Sequence, residues 1–322
     1  MIDAYCHVGL PRFGTAEEAL AIADLYNIQK SVLVLGPQVP DFETLTQAIH
    51  QHSSRIRGVG IPFGNTPAQQ IESTEILLRA GVMAMRLQGN ECLPEILTQI
   101  GDSDRWIYAI GLRSGGTLAQ THINWLEKYP TGKVFAPHFL SPHVANINGA
   151  LIDLLKHPRF FPIFSRHGGL GSQETYPHTD LKPWVERTIE LTGYDRILWG
   201  SECPVLYWRN ETMPSCQNWL SELLGTENLN GFLGENAQRE IFDQTVPKAE
   251  PVTLPNWIKE QFDHTRTIPT FDYGGLELPM NIYQNLHHQY VKQLHKNTNL
   301  TFGDFVIEIL AESVSWAGKK KT

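Results

Sequence analysis

The stretch Ile2-Asp3-Ala4-Tyr5-Cys6-His7 at the start of the chain decides how the rest is read. Its apolar and polar residues alternate, which is the period of a strand with two different faces. Similar short runs begin near Lys30, Ile56, Val82, Arg105, Lys133, Arg159 and Arg196. Successive starts lie 23–28 residues apart, except for the last interval of 37. A strand, a loop and a three-turn helix consume about that length, so each interval reads as one βα unit. Eight such units predict an α/β protein built as a (β/α)8 TIM barrel. A doubly wound open sheet is the alternative, but no strand is followed by the G-x-G-x-x-G loop of a dinucleotide site.

The intervening segments carry helix signals. Thr15-Ala-Glu-Glu-Ala-Leu opens with an N-cap residue and acidic first-turn residues. Pro183–Leu191 places apolar side chains at 184, 185, 189 and 191 and stops at Gly193. The long last interval holds Gly168-Gly-Leu-Gly-Ser-Gln-Glu-Thr-Tyr-Pro177, a loop on the side where barrels carry their active sites.

Composition narrows the function classes. The 322 residues are 41% hydrophobic, 10% aromatic and 19% charged, enough apolar material for a large core. A net charge of −8 opposes nucleic-acid binding. No apolar run reaches the ~18 residues of a membrane helix, and no basic, apolar leader opens the chain, so a cytoplasmic protein is expected. Cys6, Cys92, Cys203 and Cys216 form no C-x-x-C pair, which speaks for reduced thiols over a structural zinc site or disulfides.

Residues 1–246 are assigned to the barrel, and residues 247–322 to a Pro-punctuated linker followed by amphipathic helices. The first helix is expected over about 281–297, with Ile282, Leu286, Tyr290 and Leu294 on one face. The second is expected over about 301–316, with Phe302, Phe305, Val306, Ile309 and Leu310 on one face. The tail holds eight acidic and eight basic residues, so the excess negative charge belongs to the barrel. These helices either pack on the barrel or serve a homo-oligomer or partner-protein contact.

Alternation along the first strand puts Asp3, Tyr5 and His7 inward and Ile2, Ala4 and Cys6 under the helices. His7 then stands at the C-terminal mouth. The same count puts His138 at the end of the sixth strand, Ser165 and His167 at the seventh and Glu202 at the eighth. Convergence of such residues from separate strands is the pattern of a barrel active site. Arg86, Arg113 and Arg166 fall at or just beyond the ends of the fourth, fifth and seventh strands, where guanidinium groups suit a small anionic substrate. Tyr176, Tyr207 and Trp208 are further candidates for the pocket wall.

Several segments resemble the amidohydrolase-related ("amidohydrolase 2") TIM barrels. Asp3-Ala-Tyr-Cys-His7 resembles their D-x-H-x-H opening. Arg196-Ile-Leu-Trp-Gly-Ser-Glu-Cys-Pro204 resembles their strand ending in G-[ST]-D-W-P. Asn236-Ala-Gln-Arg-Glu-Ile-Phe242 resembles their closing helix, and Ala136-Pro-His138 stands where they place another histidine. Two positions depart from the pattern: Tyr5 replaces a histidine and Glu202 an aspartate, and in zinc-dependent relatives those groups bind the metal. The resemblance therefore implies hydrolysis of a small carboxylated lactone or ester, as in lactonase-like members that work without metal. Glu202 would activate water, with His7, His138 and Tyr5 polarising the carbonyl and Arg86, Arg113, Arg166, His167 and Ser165 binding substrate. The alternatives are a decarboxylase or hydrolase with one divalent metal (zinc or manganese) on His7, His138 and Glu202, and an inactive barrel serving as a binding or assembly subunit.

Overall fold

All eight strands begin within two residues of the positions expected from the sequence: β1 (Ile2–Val8), β2 (Lys30–Leu35), β3 (Ile56–Gly60), β4 (Ala84–Leu87), β5 (Trp106–Ala109), β6 (Val134–Pro137), β7 (Phe160–Phe164) and β8 (Leu198–Trp199). The structure, a computed structural model, describes residues 1–112, 117–138, 147–165, 172–209, 211–273 and 275–319. The strands pair in parallel in the order β1 to β8. Seven helices follow the first seven strands: α1 (Ala16–Leu25), α2 (Phe42–Gln51), α3 (Pro67–Arg79), α4 (Pro94–Asp102), α5 (Thr117–Lys128), α6 (Ala150–Lys156) and α7 (Lys182–Thr192). Two more, α8 (Val205–Trp208) and α9 (Met213–Leu224), follow β8. Thr15 caps α1 through a reciprocal bond pair with Glu18, and Gly193 ends α7 at φ 85°.

The sheet closes where β1 meets the chain beyond β8. Glu202 N–H donates to the Tyr5 carbonyl (2.8 Å), and His7 N–H to the Cys203 carbonyl (2.7 Å). The Asp3 carboxylate fills the gap in this seam, accepting from Ser201 N–H and Tyr5 N–H, both at 3.0 Å, and from the Ser201 hydroxyl. This corrects the inward placing of Asp3. The register shifts between Asp3 and Cys6, the signature of a bulge. With one extra residue, Ile2, Ala4 and Tyr5 all join the cluster filling the barrel, while Cys6 and Val8 join the outer core. Asp3 instead bridges the seam, and burial raises its pKa to about 6 despite those hydrogen bonds. Below the mouth the interior is solid: the Tyr108, Phe135 and Phe161 rings stack in sequence at 5.1 and 5.0 Å. Ala237, Ile241 and Phe242 of the closing segment plug the opposite end.

The Pro-punctuated stretch is more structured than its sequence suggested. It contains α10 (Asn256–Arg266) and a hairpin of β9 (Thr270–Tyr273) and β10 (Leu276–Pro279), followed by α11 (Met280–Leu294) and α12 (Phe302–Lys319). Trp257 of α10 stacks on Phe63 beyond β3 at 6.3 Å, and its indole N–H donates to Glu72 (3.0 Å). Phe271 of the hairpin stacks on Tyr283 of α11 at 3.9 Å, and the Trp208 indole donates to the Tyr283 hydroxyl (2.9 Å). The buried stripe of α11 runs through Tyr283, His287, Tyr290 and Leu294. Ile282, expected on that face, is exposed instead, as is Leu310 of α12. Aromatic contacts with α8 and a hydrogen bond from the Tyr283 hydroxyl to the Arg12 carbonyl in the loop after β1 set this rotation, which a simple i, i+4 count does not capture.

Candidate active site

Three strand ends bring His7, His138 and Glu202 together. One donor atom from each lies within 4.8 Å of the other two. His138 and Glu202 both take left-handed backbone, at φ 58° and 57°. Such conformations are costly for residues with a Cβ and are held by their surroundings. At His138 the holder is Ser165, whose hydroxyl oxygen accepts the His138 backbone N–H (2.9 Å) and lies 3.1 Å from its Nδ1. At Glu202 it is the β1 seam described above.

The carboxylate of Glu202 is wholly buried and doubly engaged. Its Oε1 lies 3.2 Å from His138 Nε2, and its Oε2 accepts from Arg209 (2.9 Å). Arg209 is also held at its Nε by Glu211 (2.8 Å). Burial opposes its charge, but the two carboxylates outweigh that and push its pKa up. Arg209 was not foreseen; the Arg209-Asn-Glu211 pair just after the eighth strand is the signal that could have found it.

His7 has the opposite environment. Burial, aided by the nearby charges of Arg86 and His138 and opposed by Glu202, lowers its pKa to about 3. The ring is thus neutral at pH 7. Its Nδ1 lies 3.3 Å from the Val34 carbonyl, a bond that requires the proton on Nδ1 and leaves Nε2 as an acceptor. This redirects its expected role from carbonyl polariser to acceptor or ligand. Tyr5 packs edge-on against both imidazoles, with ring centroids 4.9 Å from each.

The donor set fits a divalent cation. Two imidazoles and a carboxylate suit zinc, and both rings have their Nδ1 atoms tied to a second group, which orients Nε2. Two ligands of one tetrahedral ion with bonds of about 2.1 Å lie roughly 3.4 Å apart, close to the 3.2 Å between His138 Nε2 and Glu202 Oε1.

Beside this group, Arg86 points from β4 into a cleft of about 610 Å³ bounded by the ends of β2 to β4 and by α10. Arg86 is 6% exposed, and its Nε has no hydrogen-bond partner. Of the other predicted residues, Arg113, Arg166 and His167 lie outside the described residues. Tyr207 is buried against Tyr290, and Trp208 anchors the hairpin and α11, so both serve packing. Tyr176 is partly exposed beside His178. All four cysteines are free thiols.

No protein-family profile matches the chain, and no curated protein matches it in sequence. Solved structures do. A protein described as a 2-pyrone-4,6-dicarboxylic acid hydrolase of Pseudomonas putida superposes with TM-score 0.57 at 16% identity, covering 74% of this chain and 96% of that one. The chain shares its (β/α)8 barrel fold with that structure. A zinc-bound amidohydrolase of Burkholderia multivorans gives TM-score 0.55 at 13% identity, over 74% of this chain and 97% of that one. A 2,6-dihydroxybenzoate decarboxylase, solved with 2,6-dihydroxybenzoate, gives 0.50 at 12%, over 76% and 98%. About a quarter of the chain therefore lies outside the part matched to these neighbours. Among the described residues, no helix is long and apolar enough to cross a membrane.

Proposed function

We propose that the protein hydrolyses a small carboxylated lactone or ester at the mouth formed by β1, β6 and β8. The observation that carries this reading is the convergence of His7, His138 and Glu202 within 4.8 Å around a carboxylate with no solvent exposure. His7 and Glu202 present two acceptors to the same space. One water molecule donating a proton to each has its lone pairs free for a carbonyl carbon. As the carbon–oxygen bond forms, the carbonyl π pair moves onto its oxygen and Glu202 takes a proton of that water; the acyl C–O bond of the lactone or ester then breaks, and the leaving oxygen takes that proton from Glu202. Arg209 holds the far carboxylate oxygen, which fixes the near one towards His138. Ser165 holds the His138 ring in place. Arg86 supplies positive charge on the β4 side, where it binds the substrate's carboxylate.

A second reading draws on the same atoms. With Nδ1–H of His7 turned to Val34 and Nε2 of His138 turned to Glu202, neither imidazole has an N–H left for an oxyanion. His7, His138 and Glu202 would hold a divalent cation, which supplies Lewis-acid polarisation of a carbonyl when bound. Arg86 and Arg209 keep the same tasks in that case.

The test is turnover of 2-pyrone-4,6-dicarboxylate and related carboxylated lactones by wild type and Glu202→Gln, alongside elemental analysis of protein purified without chelators. Wild type is expected to be active and the variant slower by about 10³-fold with its melting transition retained. An active glutamine variant excludes Glu202 as the base. One equivalent of zinc or manganese per chain selects the second reading; active protein free of metal excludes it.

A further inference from the structure

We propose that α10, outside the barrel, forms the substrate's second binding wall, with Gln261 and His264 as specificity-determining residues. The ligand class is a carboxylate bearing another oxygen acceptor at its far end. The inference rests on the reading of Arg86 as the anchor for the first carboxylate.

Three observations support it. The first is placement: Gln261, His264 and Thr265 of α10, with Ile268 just beyond its end, line the cleft that contains Arg86. At about 610 Å³, that cleft is the size of a small-molecule site. The second is rigidity. Trp257 is clamped by the Phe63 ring and Glu72, and Ile258 and Thr265 are buried, so the helix is docked on the barrel. The third is unused bonding capacity. The Thr265 hydroxyl is spent on the Gln261 carbonyl, but the half-buried Gln261 amide and the solvent-exposed His264 ring bond no other described residue and are open to a ligand that displaces water. Across the cleft the Arg86 Nε is likewise unpaired and buried. Glu91 lines the same cleft, but its Oε2 is occupied by the Gln88 backbone N–H (2.6 Å). Donors at both ends of one cleft fit a molecule with acceptors at both ends.

The experiment measures binding, not turnover, so that it stands apart from the hydrolytic reading. Benzoate and benzene-1,3-dicarboxylate are titrated calorimetrically into wild type, Arg86→Gln, Gln261→Ala/His264→Ala and Gln261→Glu, with melting curves for each. Wild type should prefer the dicarboxylate by about tenfold, the loss expected for a hydrogen bond to a charged group. The double variant should lose that preference while keeping its benzoate affinity and melting temperature, and Gln261→Glu should reverse it by repulsion. Arg86→Gln should weaken both ligands. A double variant that keeps the preference overturns the proposal, as does a wild type that shows no preference or binds neither compound. An active Glu202→Gln enzyme would remove the hydrolytic reading and leave this binding result intact.

Discussion

Arg86 and Arg209 stand on the same barrel mouth, and their surroundings are opposite. Arg209 bridges Glu202 and Glu211 in a closed network, with its side chain 19% exposed. Arg86 is more deeply buried, at 6%, and its Nε meets no acceptor. A buried cation with partners is part of the architecture, because removing it strands the carboxylates around it. Among the described residues, Arg86 has only the through-space charge of Glu91 beside it, and a buried cation whose Nε finds no acceptor costs the folded state free energy that binding an anion recovers. The difference divides the mouth into a half that holds reacting groups in place and a half that waits for a ligand.

Neutralising each arginine should therefore move stability in different directions. The larger effect belongs to Arg209→Met, which leaves the fully buried Glu202 with only half of its charge pairing. Urea unfolding should show a loss of about 3 kcal/mol, the lower end for breaking a buried pair. A loss below about 1 kcal/mol would mean that the network does not hold Glu202. The smaller effect belongs to Arg86→Met. Its unfolding free energy should be unchanged or higher by about 1 kcal/mol, as for buried charges exchanged for apolar groups of similar volume. A clear destabilisation would show that Arg86 has a structural partner and would erase the contrast.

The fold was legible because the signals that specify it are local and repeated. Each strand run carries its own period, each helix its cap, and eight repeats leave only one closed solution. The site was legible for a related reason: strand ends in a barrel converge whatever the loops do, so His7, His138 and Glu202 could be found by counting. Counting failed where the backbone departs from regularity. The bulge between Asp3 and Cys6 moved Asp3 from the expected interior into the β1–β8 seam, and no residue of that stretch announces the extra position. Arg209 escaped because its role depends on a loop returning over the strand it follows. The face of α11 was misjudged because Tyr283 and His287, which read as polar, are buried, Tyr283 against Trp208 of α8 and His287 against Tyr283 itself. Similarly, α10 carries few apolar residues, and its fixation comes from Trp257 against a barrel loop.

The division of the mouth is tested most directly by measuring kcat and KM for Glu202→Gln and Arg86→Gln on one carboxylated lactone that the wild type turns over. Glu202→Gln should lower kcat by about 10³-fold with little change in KM. Arg86→Gln should raise KM by roughly 10- to 100-fold, the worth of a charged hydrogen bond, with kcat within a few-fold of wild type. If Arg86→Gln lowers kcat as far as Glu202→Gln does, or Glu202→Gln changes KM alone, chemistry and binding do not reside in separate halves of the mouth.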